Sequence, residues 1–410
     1  MQDSSRYAVG IDIGTTTVRC VVGHIDATTG APTIVGVGEV KNSGMRKGSV
    51  VNLSGPAQAI DEALGEAERM SGYEVNSASI SINGSHILST TTDGMIAVGS
   101  ADHLIGAEDV SRLEEVATVG KVPANREILE VVPHSYRLDG QDNIKDPIGM
   151  TGTRLEINAN VISALVPNVA ALHSTLEMAK VTPNVITPSV VAGAKAVLSE
   201  QQLENGVAVI DMGGATTSIA IFEEGDLQYA GVIPVGGTNI TNDLAIGLKT
   251  DPEVAEQVKL THGSAVSHEG SDIVSVKYEN ETLEFAREEV NEIIEARLEE
   301  LFEKITKELK KAGRHAKLPS GVVLTGGGAK LKNIADYTKE SLGLAARVGV
   351  AKGFGGVAEH LSEPQFATAT GLMLIDADGN HDRSNSSGRT KPNIGKTAGI
   401  LKKLFSRLRT

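Results

Sequence analysis

Apolar residues alternate with other types at Val9, Ile11 and Ile13 and resume at Val18, Cys20, Val21 and Val22. That pattern predicts two strands joined by a turn over 14–17. Further strands are predicted over 33–40, 79–82, 219–222, 227–233 and 347–350. Apolar spacing of three and four residues predicts helices over 54–70, 168–180, 236–248, 251–260, 283–311 and 365–375, and an Ala-rich helix through Leu198. In the first of these, Ile60, Leu64 and Ala67 share a face, with Ser54 as cap and Pro56 in the first turn. Residues 87–163 have a different texture: short strands at 94–98, 128–132 and 155–161, one helix near 107–118 and a loop-like run over 140–152. Strand–helix alternation on both sides of that stretch implies α/β layers interrupted by a small α+β insertion.

The first turn places Asp12 beside Gly14 and the hydroxyls of Thr15, Thr16 and Thr17. A nucleotide's phosphate tail suits that set. Gly14 lets the backbone approach closely, the threonines donate, and Asp12 can hold a hydrated Mg²⁺. Alone this is an ordinary hairpin. Its grammar returns near mid-chain, where strand 209–212 runs through Asp211 into Gly213, Gly214, Ala215 and Thr216 before a second strand. The recurrence points to two related halves, with Asp12 and Asp211 clamping a phosphate chain and its metal through water. A third strand, 322–325, enters Gly326-Gly327-Gly328 ahead of a helix, and such bare backbone suits a base or ribose. Gly236 and Gly237 open another helix, either as a phosphate or sugar site or as an ordinary helix start. Glu256 and Lys259 lie three apart on one helix face, either as a solvated pair or as a contact to a nucleoside.

Charge divides the chain. The formal net charge is −14, yet residues 381–410 carry eight basic residues against one acid. The acidic body argues against a nucleic-acid partner. Within the basic end, Ile400, Leu401, Leu404, Phe405 and Leu408 line one helical face, and Lys402, Lys403 and Arg407 occupy the rest. This run is too short to span a bilayer and suits a helix lying on an anionic membrane. Residues 376–397 before it are rich in Gly, Ser, Asn and Asp and read as a flexible linker, its boundary with the body near 380. The single cysteine, Cys20, falls in an apolar strand and reads as a buried thiol suited to a reducing compartment. His134 and Asp139 lie close in sequence with nothing to pair them, and each reads as satisfied locally.

Asp12-Gly14-Thr15, Asp211-Gly213-Gly214-Thr216 and Gly326-Gly327-Gly328 resemble the two phosphate motifs and the adenosine motif of the actin/Hsp70/sugar-kinase superfamily. Within it the chain resembles the FtsA family of bacterial cell-division proteins. The likeness covers nearly the full length and rests on residues 44–48, 144–149 and 261–263 and on the amphipathic end. The resemblance implies an actin-like ATPase fold, two lobes each with a ribonuclease-H-like core. It assigns 1–86 and 164–204 to subdomain 1A, 87–163 to an inserted subdomain 1C replacing actin's 1B, 205–240 and 317–380 to 2A, and 241–316 to 2B. Residues 381–397 would be a linker and 398–410 the membrane-targeting helix.

The same resemblance implies ATP and Mg²⁺ in the interlobe cleft, with Glu256 and Lys259 approaching the adenosine. It implies filaments on the cytoplasmic membrane at the division septum and docking of the C-terminal peptide of the tubulin-like FtsZ on 2B. Contacts with later division proteins would run through 1C. Two positions depart from the family pattern: Ala215 replaces a third glycine, and Thr187 stands where relatives carry Glu or Gln. A threonine is a poorer general base, so the expectation is firm ATP binding with at most slow hydrolysis. The competing readings are a small-molecule kinase of the same superfamily, which needs a substrate pocket with a base, and a pilus-assembly ATPase of similar fold.

Overall fold

The computed structural model describes residues 6–100, 102–266, 272–279, 281–356 and 361–384. The first lobe opens with β1 (Arg6–Ile13), β2 (Thr17–Ile25) and β3 (Pro32–Lys41), an antiparallel meander. A short ladder of β4 (Met45–Arg46) and β5 (Ser49–Val50) leads into α1 (Ser54–Ser71), then β6 (Ser77–Ile82), parallel to β1. The predicted face of α1 is buried through Ile60, Ala63, Leu64 and Ala67. Its cap lies upstream of the expected Ser54: Asn52 Oδ1 accepts the amides of Ser54 and Gly55.

The insertion follows as β7 (Leu88–Ala97), α2 (Ala107–Thr118), β8 (Arg126–Leu138), β9 (Gln141–Ile144) and β10 (Arg154–Leu165), with sheet order β7-β10-β8-β9. It has its own core around Ile105, Leu113, Tyr136 and Leu155. The chain returns through α3 (Val166–Met178), β11 (Thr182–Pro188), α4 (Ser189–Val197) and α5 (Glu200–Asn205). Prolines hide the strand pattern of β11; it sits at the sheet edge, where proline is tolerated.

The second lobe repeats the plan. β12 (Val207–Met212), β13 (Thr217–Glu223) and β14 (Asp226–Ile233) form an antiparallel meander. α6 (Gly237–Gly247), α7 (Pro252–His262), β15 (Ile273–Tyr278), β16 (Glu281–Ala286) and α8 (Arg287–Lys311) follow as a subdomain. β17 (Val322–Thr325), α9 (Ile334–Leu342) and β18 (Ala346–Val348) complete the sheet. Its order, β14-β13-β12-β17-β18, matches β3-β2-β1-β6-β11: three antiparallel strands, then two parallel ones. The helix expected over 283–311 starts at Arg287, because 281–286 pair with β15 as a strand of alternating exposure.

Between the sheets lies α4, whose Val190, Val191, Ala192, Ala194 and Val197 are buried on all sides, so one core continues from lobe to lobe. The end of the described chain crosses back. β19 (Gly355–Gly356) pairs with β3, and α10 (Ala367–Ser384) packs on β1 and α4. A Cβ on Gly10 would meet Ala369 O at 2.2 Å, and Asp376 accepts the Val9 amide at 3.0 Å. Residues 355–356 and α10 therefore pack on the first lobe, although 317–380 were expected in the second, and 376–384, expected as linker, continue the helix. The remaining linker and the amphipathic run through Leu408 lie outside the described residues. Among the described residues no helix is long and apolar enough to cross a membrane.

A candidate nucleotide site between the lobes

Each meander bends at a turn of one design. The Gly14 amide donates to Thr17 O at 3.1 Å, and the Gly213 amide donates to Thr216 O at 2.8 Å. A Cβ would sit 2.7 Å from the same carbonyl in the first turn and 2.9 Å in the second. Glycine is thus required twice, for the same reason. Two residues before each glycine stands a strand-end carboxylate, Asp12 or Asp211. The turns touch between the lobes: a Cβ on Gly214 would lie 2.6 Å from Thr16 Cγ2.

Both carboxylates are buried, each with the Arg19 charge and a serine hydroxyl acting on it. Asp12 Oδ1 accepts the Ser81 hydroxyl at 2.8 Å, and Ser81 Oγ in turn accepts the Ile13 amide at 2.8 Å. Burial raises the Asp12 pKa, opposed by the Arg19 charge and the Ser81 bond. Asp211 is raised to about 7 by burial and then by the charge of Asp12, against the Arg19 charge and a Ser189 hydrogen bond. Gly326 makes its burial possible: at φ +81° its Cα faces Asp211, and a Cβ would stand 2.3 Å from Oδ1. Gly328 rests on Met212 in the same way, while a Cβ on Gly327 would meet nothing within 4 Å. Bare backbone at Gly327 therefore faces open space, one residue from the glycine that packs on Asp211.

Of the two readings of Gly236 and Gly237, the geometry is that of a helix start. The amides of Gly237 and Thr238 donate to Gly213 O and Gly214 O at 2.9 and 2.7 Å. A Cβ on Gly236 would meet Gly213 O at 2.5 Å. The start of α6 is thus a bed for the second turn, with those amides already used. Glu256 and Lys259 do share a face and touch at 2.6 Å. Lys259 Nζ also donates to Thr241 Oγ1 at 2.8 Å and Gly237 O at 3.2 Å, which ties α7 to that bed.

Sequence reasoning missed Asn83, one residue beyond β6. Its Nδ2 donates to Thr216 Oγ1 at 3.2 Å and its Oδ1 accepts the Ser218 hydroxyl at 3.1 Å, joining the lobes. The signal was slight: a polar residue directly after an apolar strand that ends beside the first turn. His86, three residues on, is 8% exposed, with Nε2 unpartnered, and lines a water-sized cavity of about 10 Å³ with Ser49 and Asn83. Burial lowers its pKa to about 4, with the Arg126 charge adding to the effect. Gly48 of the β4–β5 loop donates to Thr15 Oγ1 at 3.0 Å, so residues 44–48 cover the first turn. Thr187 is buried at the end of β11, in register with Ser81. Cys20 is buried and its thiol pKa is pushed up by burial. His134 and Asp139 do not meet: His134 bonds Leu227 O, and Asp139 accepts from Thr153 and Arg154.

The donor set fits a magnesium nucleotide. Two buried carboxyls, with the Asp12 charge raising the proton affinity of Asp211, are relieved by a cation, and hydroxyls and bare glycine backbone surround them. Among the described residues no three His, Cys, Asp or Glu side chains converge, so water would complete the shell of a Mg²⁺ held here.

Comparison with known proteins decides the family. Residues 208–371 match the family model described as cell division protein FtsA, and 84–163 match the SHS2 domain inserted in FtsA. The cell division protein FtsA of Bacillus subtilis is 37% identical over 377 residues, covering 91% of this chain and 84% of the relative. That of Pseudomonas aeruginosa is 32% identical over 375 residues, covering 90% and 89%. The chain belongs to the FtsA family. Membership favours a cell-division protein over the kinase and pilus readings, and the inserted subdomain is the family's SHS2 domain. Among solved structures, a PilM–PilN type IV pilus biogenesis complex superposes with TM-score 0.66 at 19% identity, over 90% of this chain and 98% of that one. MreB5 of Spiroplasma citri bound to ADP gives 0.57 at 13%, over 93% and 99%. At such identities these neighbours speak to fold alone, and with the family match they make this an actin-like ATPase fold.

Proposed function

We propose that the chain binds ATP with Mg²⁺ between its lobes, assembles into filaments on the cytoplasmic membrane at the septum, and tethers FtsZ there. One observation carries the nucleotide reading: the same Asp–x–Gly turn is built twice and set face to face, with Thr16 against Gly214. Asp12 and Asp211 would hold the hydrated metal, which supplies charge neutralisation for the phosphates. Thr15 and Thr16 would donate to phosphate oxygens, and Gly326 to Gly328 would lie beneath the nucleoside. The ADP named with the Spiroplasma MreB5 structure supports that reading. Thr187 offers only a hydroxyl near the site, so hydrolysis is slow.

The membrane role rests on the sequence of residues 400–408, where each buried Leu or Phe contributes about 1.5–3 kcal/mol before ordering costs. A single such helix binds reversibly, and many in one polymer bind firmly. The FtsZ peptide would dock on the 2B subdomain, where Ile246, Leu260 and Ile273 are exposed, and later division proteins on the insertion.

Co-sedimentation with anionic liposomes, ATP and Mg²⁺ tests the adaptor role, comparing the full chain with Leu401→Glu/Leu404→Glu. The full chain should pellet and carry the FtsZ C-terminal peptide with it, and the variant should stay in solution. Equal pelleting of both, or a peptide left behind by pelleted protein, contradicts the proposal.

A further inference from the structure

The segment 144–149 carries a motif to which the sequence gives no chemistry, and the structure gives its lysine a place. Asp146 Oδ1 caps the Ile148 amide at 3.1 Å, and Gly149 donates to Ile105 O at 3.0 Å, which makes the segment a firm platform on the insertion. From it Lys145 reaches into the second lobe. Its Nζ lies 2.8 Å from Asp226 Oδ2 and 3.4 Å from Glu224 Oε2, at the β13–β14 turn, and 3.0 Å from His134 O. His134 itself donates from Nε2 to Leu227 O at 3.1 Å. Strands β7, β8 and β10 of the insertion pack along β14.

The β13–β14 hairpin is therefore held at both ends by residues that precede the second lobe in the chain. Asn83 binds Thr216 and Ser218 at the phosphate end. Lys145 and His134 bind the far turn. The insertion is in turn fixed to the first lobe, because Arg126 joins its two chain crossings by donating to His86 O, Ser163 O and Ser163 Oγ. A hairpin clamped at both ends moves as one piece with its clamp.

We propose that the inserted subdomain is a latch on the second lobe, in which Lys145 is a positioning residue that keeps the second phosphate turn against the first. Opening of the cleft, and escape of the nucleotide, requires Lys145 to release Glu224 and Asp226. The release of nucleotide rests on the nucleotide reading above; the latch itself does not.

Two readouts separate the claims. Release of a fluorescent methylanthraniloyl-ATP is followed by stopped flow. The distance between lobes is followed by electron–electron resonance between spin labels at Asp61→Cys on α1 and Lys339→Cys on α9; both positions are exposed, and the native Cys20 is buried. Lys145→Ala should speed release about threefold, as expected for a small ion-pair network at the surface, and lengthen and broaden the interlobe distance without ligand. Lys145→Arg should keep both near the unsubstituted values. The exchange Lys145→Asp with Asp226→Lys should restore much of what either single change loses, which a general folding defect would not permit. An unchanged distance in Lys145→Ala, or no recovery in the exchanged pair, overturns the latch. If the unsubstituted protein binds no analogue, the nucleotide reading fails while the distances still decide the latch.

Discussion

The first turn, 14–17, lies under the β4–β5 loop with Thr16 exposed. The second, 213–216, is clasped by the start of α6 and by Asn83, with Thr216 buried. Both carboxyls are raised by burial and held back by the Arg19 charge and a serine hydroxyl, and for Asp211 the charge of Asp12 adds to the burial. One backbone design thus serves two electrostatic purposes. The first turn keeps a side-chain donor free for a ligand, and the second turn fixes a carboxyl that is half-protonated near neutral pH until a cation discharges it. A local motif sets the shape of a turn; the elements packed around it set what the turn can bind.

The largest test of that contrast lies in the glycines. Gly326→Ala forces a side chain onto a positive φ and into Asp211. It should cost about 3 kcal/mol in denaturant unfolding and abolish ATP binding. Gly327→Ala, with open space around it, should stay within about 0.5 kcal/mol.

Next comes Asp211→Asn. A carboxyl raised from 3.8 to about 7 holds, in the folded state, a proton that the unfolded chain has released. Stability therefore falls as pH rises across that window. Removing the charge should stabilise the ligand-free protein by about 2 kcal/mol at pH 8 and eliminate Mg²⁺-dependent binding. Asp12→Asn should shift stability in the same direction.

His86 carries the opposite sign. Its pKa falls from 6.5 to about 4, so the stability it contributes is present above pH 6.5 and is lost as pH drops toward 4. Thermal melts across that range should show a loss of about 2 kcal/mol that His86→Gln flattens. Smallest are the threonines. Thr216→Ala strands the Asn83 amide and should cost about 1 kcal/mol. Thr16→Ala should leave stability within about 0.5 kcal/mol while weakening ATP binding by calorimetry.

The meanders were legible because alternation and a glycine bend are local properties, and the two Asp–x–Gly turns announced that the lobes are related. The matching sheet order required only that both halves obey the same strand–helix grammar. What stayed hidden depends on distant partners. Nothing in residues 365–375 says that α10 returns to lie on Gly10 of β1, because a helix face names no partner. The roles of Asn83 and Lys145 come from Thr216, Ser218, Glu224 and Asp226, far along the chain. Gly236 and Gly237 stayed open between a phosphate or sugar site and an ordinary helix start because a glycine helix start has free amides in isolation; here the carbonyls of the second turn reach the amides of Gly237 and Thr238 first. The strands at 273–278 and 281–286 were hidden by the charge pattern that runs on into α8.

The claim that both turns hold one metal nucleotide is tested most directly by titrating the full chain with ATP calorimetrically, with Mg²⁺ or with chelator, in two buffers of different ionisation enthalpy at pH 6.5. Cation binding must displace the proton on Asp211. The account predicts Mg²⁺-dependent binding that releases up to about one proton, with both the metal dependence and the release lost in Asp211→Asn. Binding indifferent to Mg²⁺, or proton release unchanged in that variant, would contradict it.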